Sequence, residues 1–251
     1  MLSAGKYHYR LVSEEDFHRC FGESHDELSG AKFSYVSEKS KEELTDCVRI
    51  LFEDEENIPE AYVTVSRLDG NIGSLLKDRD SFKKEFLSEI FYTAIQYGGV
   101  KLDCYQDEKN TLPYIYADAG FIPVCRIHFD PAEASEDWSS EAGQPDIIFM
   151  FLAERDINYE DYRDKVLKDK YPRFTDYSYI PYVEEFSEWQ EQTGIQDAYS
   201  FGYHLRDCVL KKWNEQYSGN LLNMQNFVEK ILKNHNVNLA KTAEKLCGGC
   251  F

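Results

Sequence analysis

No apolar run in this chain approaches the length needed to cross a bilayer, so a membrane-spanning helix is not expected. Residues 1–10 hold no apolar stretch of the kind that forms the heart of a secretory leader, and none is expected there. Histidine is scarce, at 6 residues with no ligand-like spacing, and no metal is expected. A phosphate-binding P-loop, a motif-supported Ser/His/Asp order, internal repeats and low-complexity tracts are all missing as well.

Basic side chains are also in short supply. Against 46 Asp and Glu stand 28 Lys and Arg, for a formal charge of −18. The deficit is uneven: residues 1–154 carry 15 basic and 31 acidic side chains, and residues 155–251 carry 13 and 15. Such a surface disfavours nucleic acid phosphates and anionic membranes, and suits solubility or a basic protein partner or substrate. The seven cysteines are odd in number and scattered, and Cys104 and Cys125 lie inside apolar runs. That usage fits free thiols in a reducing cytoplasm and not a disulfide framework.

What is present is a succession of short apolar runs. Tyr7 to Val12 alternates like a half-buried strand, and Ser13-Glu14-Glu15-Asp16 is a helix start with its acids in the first turn. Ser37 to Asp46 reads as a second short helix. Val48 to Phe52, Ala61 to Ser66 and Asn71 to Lys77 read as strands, with Asp69-Gly70 as a tight hairpin signal. Gly73 inside the third of these predicts a bulge or a close backbone approach. Ser81 to Tyr97 is the strongest helix, since Phe82, Phe86, Leu87, Ile90, Phe91 and Ala94 form one apolar stripe, and Gly98 suits its left-handed cap. Val100 to Cys104, a helix over Leu112 to Gly120, Ile122 to Phe129 and Asp146 to Leu152 follow.

Beyond Leu152 the pattern turns helical. Asn158 to Lys170 reads as a charged helix and Tyr171 to Tyr182 as a tyrosine-rich connector. Helices are expected over about Gln196 to Tyr217, Leu221 to Asn234 and Asn238 to Leu246. The change of character and of charge places a boundary near residue 154, dividing an α/β domain (1–154) from a helical C-terminal region (155–251). Cys247-Gly248-Gly249-Cys250 has a spacing that suits zinc or redox chemistry, but no second pair accompanies it. Phe227 to Leu246 has helix-turn-helix spacing that fits any helical hairpin equally well.

A set of residues in the first domain resembles the GNAT acetyltransferases, and most nearly the GNAT-like domains of phage and prophage proteins. The residues are Tyr97-Gly98-Gly99-Val100-Lys101-Leu102-Asp103, Leu112-Pro113-Tyr114-Ile115-Tyr116 with Gly120-Phe121, Val124 to Phe129, Trp138, and Gln144 to Met150. The resemblance implies an α/β (α+β) fold, a mixed central sheet flanked by helices and splayed between its fourth and fifth strands. It implies acetyl-coenzyme A in that split, its pantetheine arm along the backbone of Leu75 and Leu76 and its pyrophosphate at the start of the Ser81 helix. Lys77, Arg79, Ser81, Phe82 and Lys83 would then line the cofactor, and Tyr116 would be the general acid for the leaving thiolate. The stretch Lys77-Asp78-Arg79-Asp80-Ser81-Phe82 holds no glycine, where relatives have a glycine-rich loop. Two functions follow. One is an N-acetyltransferase acting on an amine, one borne by a protein included, with Glu60, Glu89 and His128 as candidate bases. The other is a catalytically inactive phage-type binding or structural protein, in the host cytoplasm or the virion.

Overall fold

The computed structural model describes residues 8–28, 40–77, 83–106, 111–132, 138, 143–171 and 180–202. The expected helices at Leu221 to Asn234 and Asn238 to Leu246, most of that at Gln196 to Tyr217, and the Cys247/Cys250 pair lie outside the described residues.

The first layer is an antiparallel sheet in the order β1 (His8–Leu11), β2 (Cys47–Glu53), β3 (Pro59–Ser66), β4 (Ile72–Lys77). Both β2 and β3 are apolar nearly throughout because helices cover both faces of the sheet. Leu51 and Tyr62 turn to one face, where they meet Phe17 and Phe21 of α1 (Glu14–Leu28) and Leu44 of α2 (Lys41–Thr45). Ile50, Phe52, Val63 and Val65 turn to the other and join the main core. Both helix starts are capped: Ser13 Oγ accepts from the Asp16 N–H at 3.0 Å, and Ser40 with Glu43 forms a reciprocal capping box.

Covering the main core is α3 (Lys84–Gln96), with Phe86, Leu87, Ile90, Phe91 and Ala94 buried as the stripe predicts. Each of the Phe, Leu and Ile side chains contributes about 1.5–3 kcal/mol on burial. Described helix begins at Lys84, three residues later than the sequence pattern suggests, because Lys83 is extended (φ −86, ψ 132). The helix ends at Gln96 with Tyr97 as its C-cap, and Gly98 follows with φ +95.

The second sheet is antiparallel in the order β5 (Lys101–Gln106), β7 (Asp146–Leu152), β6 (Phe121–Ile127), with α4 (Thr111–Asp118) between β5 and β6 in the chain. Strand order β1-β2-β3-β4, then β5-β7-β6, with the discontinuity between β4 and β5, is the GNAT-like α+β arrangement that the resemblance implies.

Residues beyond 154 enter the same core. Tyr162 and Val166 of α5 (Tyr159–Leu167), Tyr171, and Trp189 of α6 (Phe186–Thr193) belong to the cluster that holds Phe91 and Phe121. The Tyr162 hydroxyl donates to the Ala119 carbonyl at 2.7 Å. The boundary expected near residue 154 therefore meets no break in the core. Helix α6 has no counterpart in the sequence reading; its stop is Gly194 at φ +68.

Helices α3 and α5 meet through Tyr92 with Tyr159 and Tyr162, and through an ion pair of Arg163 with Glu85. Between them the Glu89 carboxyl, 3.5 Å from the Tyr159 hydroxyl, is pushed up to about 7 by desolvation, against the opposing pull of Tyr159 and Arg163. A folded protein that binds this proton more tightly than the unfolded chain is most stable below the unfolded value. That contribution is present below about pH 4.5 and is lost as the pH rises through about 7. Because the carboxyl is only half-buried, the loss is about 1 kcal/mol after solvent screening. Urea denaturation at pH 5 and pH 8 is expected to show it, and Glu89→Gln to flatten it; an equal slope in the variant assigns the effect elsewhere.

Candidate active site

Among the described residues, one backbone bridge joins the two sheets. Asn71 and Lys101 form an isolated parallel bridge, and the Gly70 carbonyl accepts from the N–H groups of Val100 (2.9 Å) and Lys101 (3.3 Å). Lys101 Nζ closes the same turn on Asp69 Oδ2 at 2.7 Å. Gly70 sits at φ +70, and a Cβ there would stand 2.6 Å from the Gly98 carbonyl oxygen. A Cβ on Gly99 would meet Ile72 Cγ1 at 2.7 Å. Gly70 and Gly99 are thus needed for the close approach of the end of α3 to the start of β4, whereas Gly98, with nothing within 4 Å of its would-be Cβ, answers only the backbone turn at φ +95.

Past this junction the strands part. Ile72–Lys77 is hydrogen-bonded to β3 on one side and, among the described residues, to no strand on the other. An interior strand with an open edge leaves backbone donors and acceptors for water or for a ligand that lies alongside. Leu75, Leu76 and Lys77 supply that edge by their backbone.

The pairing of β4 with β3 slips once. Thr64 faces Gly73 and Tyr62 faces Leu76, so Ser74 and Leu75 together oppose Val63. Sequence reading places the irregularity at Gly73; the unusual backbone is at its neighbour, Ser74, with φ +48.

The start of α3 is the second feature. Its N-cap residue, Lys83, is exposed, and its side chain makes no capping hydrogen bond. A helix N-terminus presents unpaired N–H groups and the positive end of the dipole, which favours an anion. In the first turn Lys84 pairs with Asp169 and, at 3.8 Å, with Asp118. Arg79, Ser81 and Phe82 lie outside the described residues.

Tyr116 lies on α4, which packs against β5 and β6. It is buried (9% exposed), its ring meets Phe91 edge-on at 5.7 Å between centroids, and burial, with Cys104 and Asp103 nearby, raises its phenol well above the ordinary value. It therefore keeps its proton at any working pH. Glu60, Glu89 and His128 are not brought together: Glu60 is in β3, Glu89 faces α5, and His128 follows β6. The His128 ring stacks on Tyr182 at 4.0 Å, with Nδ1 3.2 Å from Asp146 Oδ1. Tyr182 belongs to a short segment that extends the β6 edge, Arg126 N–H donating to the Pro181 carbonyl at 3.0 Å. Burial pushes the Cys125 thiol up to about 12, which makes it a small hydrophobe and not a nucleophile. No group of three or more His, Cys, Asp or Glu side chains able to hold a metal occurs among the described residues. Nor is any helix among them long and apolar enough to cross a membrane.

No family profile matches the sequence, and no curated protein matches it. Similar solved structures include a protein assigned as a phosphinothricin N-acetyltransferase (14% identity, 58% of this chain and 97% of that one, TM-score 0.41). Others are apo YjaB from Escherichia coli (12%, 58% and 96%, 0.41) and a chimera of spermidine N-acetyltransferase SpeG from Vibrio cholerae and hSSAT (14%, 63% and 98%, 0.40). At these values the likeness adds nothing to the strand order, which carries the fold assignment by itself.

Proposed function

We propose that this chain is an N-acetyltransferase that binds acetyl-coenzyme A between β4 and β5 and passes its acetyl group to an amine. The observation that supports this best is the open edge of β4 inside the molecule, ending close in sequence to the start of α3. The amides of a pantetheine arm match the backbone groups of Leu75 and Leu76, and a pyrophosphate suits the N–H groups of the first turn of α3 with Lys83 beside them. Bound there, acetyl-coenzyme A supplies an acyl group activated as a thioester. Tyr116 holds the proton that the departing sulfur requires. The acidic composition favours a cationic acceptor, an amine on a basic protein among them.

A second reading rests on the glycine-free stretch Lys77 to Phe82, where Asp78 and Asp80 add negative charge. It makes the chain a phage-type binding or structural protein that keeps the fold without the chemistry.

Calorimetric titration with acetyl-coenzyme A separates the two. Micromolar binding, weakened about tenfold or more by Lys83→Glu through loss of a charge-assisted contact, is expected for the enzyme. No heat at millimolar ligand selects the scaffold.

A further inference from the structure

Ser74 is disfavoured by folding twice over. Its φ of +48 lies in the left-handed region, where a side chain is strained and glycine is not. The other non-glycine residues with positive φ among the described residues are Asn57 and Asp169, types that tolerate that conformation, whereas Ser74 lies within a strand. It is also 8% exposed, and its Oγ has no hydrogen-bond partner among the described residues. A buried hydroxyl without a partner is destabilising, and glycine at the same position would remove both penalties. Packing and pairing among the described residues do not account for this residue.

Its position does. Ser74 is the first residue of the bulge, three residues beyond the Asn71–Lys101 bridge, in the part of β4 whose second edge is open. Strained backbone and an orphaned polar group coincide on the stretch of β4 that, among the described residues, is unpaired on one side, and such coincidences gather where a ligand completes the site. A hydroxyl there offers one donor to a ligand that follows the strand. An extended ligand with carbonyl groups, an amide or a thioester, carries the matching acceptors.

We propose that Ser74 is a binding residue whose hydroxyl donates to a carbonyl oxygen of the acyl-coenzyme A laid along β4. This rests on the acetyltransferase reading above. The hydroxyl is then satisfied only in the complex, so it contributes to affinity at the expense of the ligand-free fold.

The test is the pair Ser74→Ala and Ser74→Gly in the full chain, with melting temperature measured without ligand and affinity measured for acetyl-coenzyme A and for coenzyme A. Both variants are expected to melt at or above the wild-type temperature and to bind acetyl-coenzyme A about tenfold more weakly. A loss confined to acetyl-coenzyme A assigns the bond to the thioester carbonyl; an equal loss for both ligands assigns it to a pantetheine amide. Unchanged affinity in the variants overturns the assignment and leaves water as the partner of the hydroxyl. A lower melting temperature for Ser74→Ala, which keeps the Cβ and the backbone entropy, also overturns it, because the hydroxyl then supports the ligand-free fold. Absence of binding by the wild type removes the acetyltransferase reading itself, and this assignment with it.

Discussion

Replacing Gly70 by alanine is expected to lower the unfolding free energy by about 3 kcal/mol, among the largest effects available to a single methyl group in this protein. Two costs combine. At φ +70 an L-residue is strained by about 1–2 kcal/mol. The added Cβ would also stand 2.6 Å from the Gly98 carbonyl oxygen and 2.7 Å from Val100 Cγ2, and overpacking of that kind costs about 1–3 kcal/mol. Val100 can give a little, but the carbonyl belongs to the backbone that ends α3. Relief would require the turn to retreat from the second sheet, lengthening the bonds from Val100 and Lys101 to the Gly70 carbonyl. Gly143 supplies the control. It has the same φ of +70 and nothing within 4 Å of its would-be Cβ, so Gly143→Ala is expected to cost only the strain. Thermal unfolding should place Gly70→Ala about 6–12 °C below wild type and Gly143→Ala about 2–8 °C below it. Equal shifts for the two would show that the junction yields freely, and the parting of β4 from β5 would then need another cause.

That junction also shows where a sequence can and cannot be read. Asp69-Gly70 and Gly98-Gly99 are legible as a turn and a helix cap because each is a local conformational demand. That the two sites pack on each other is a relation between segments, and no local pattern reports it. Similarly, the apolar runs of β2 and β3 and the stripe on α3 mark buried surfaces clearly, since burial on both faces erases alternation and helical burial restores a period of 3.6. The bulge is different. A glycine at position 73 attracts attention, but the slip is set by which residues of β3 oppose which of β4, and that leaves the strained backbone on Ser74. Helix α6 escaped for a related reason: only Phe186 and Trp189, a turn apart, give it an apolar side, and its anchoring comes from stacking of Phe186 on Phe149 of β7, 4.2 Å between ring centres.

Removal of the Tyr116 hydroxyl is the substitution expected to act most strongly on chemistry while leaving the fold in place. Tyr116→Phe keeps the ring against Phe91 and the volume between α4 and β5, so the melting temperature should move little. If the phenol delivers the proton to the leaving sulfur, turnover should fall by about 10²–10⁴-fold, with acetyl-coenzyme A affinity nearly unchanged. The direction of its titration sharpens the test. Burial raises the phenol above its ordinary range, so wild-type activity should show no alkaline decline from Tyr116 below about pH 10. A decline at lower pH that persists in the residual activity of Tyr116→Phe would belong to another group. Turnover equal to wild type would take Tyr116 out of the mechanism and return it to the core it shares with Phe91. A fall in turnover with intact affinity and melting temperature would instead bind the two halves of the site, the open edge of β4 and the buried phenol beside β5, into one reaction centre.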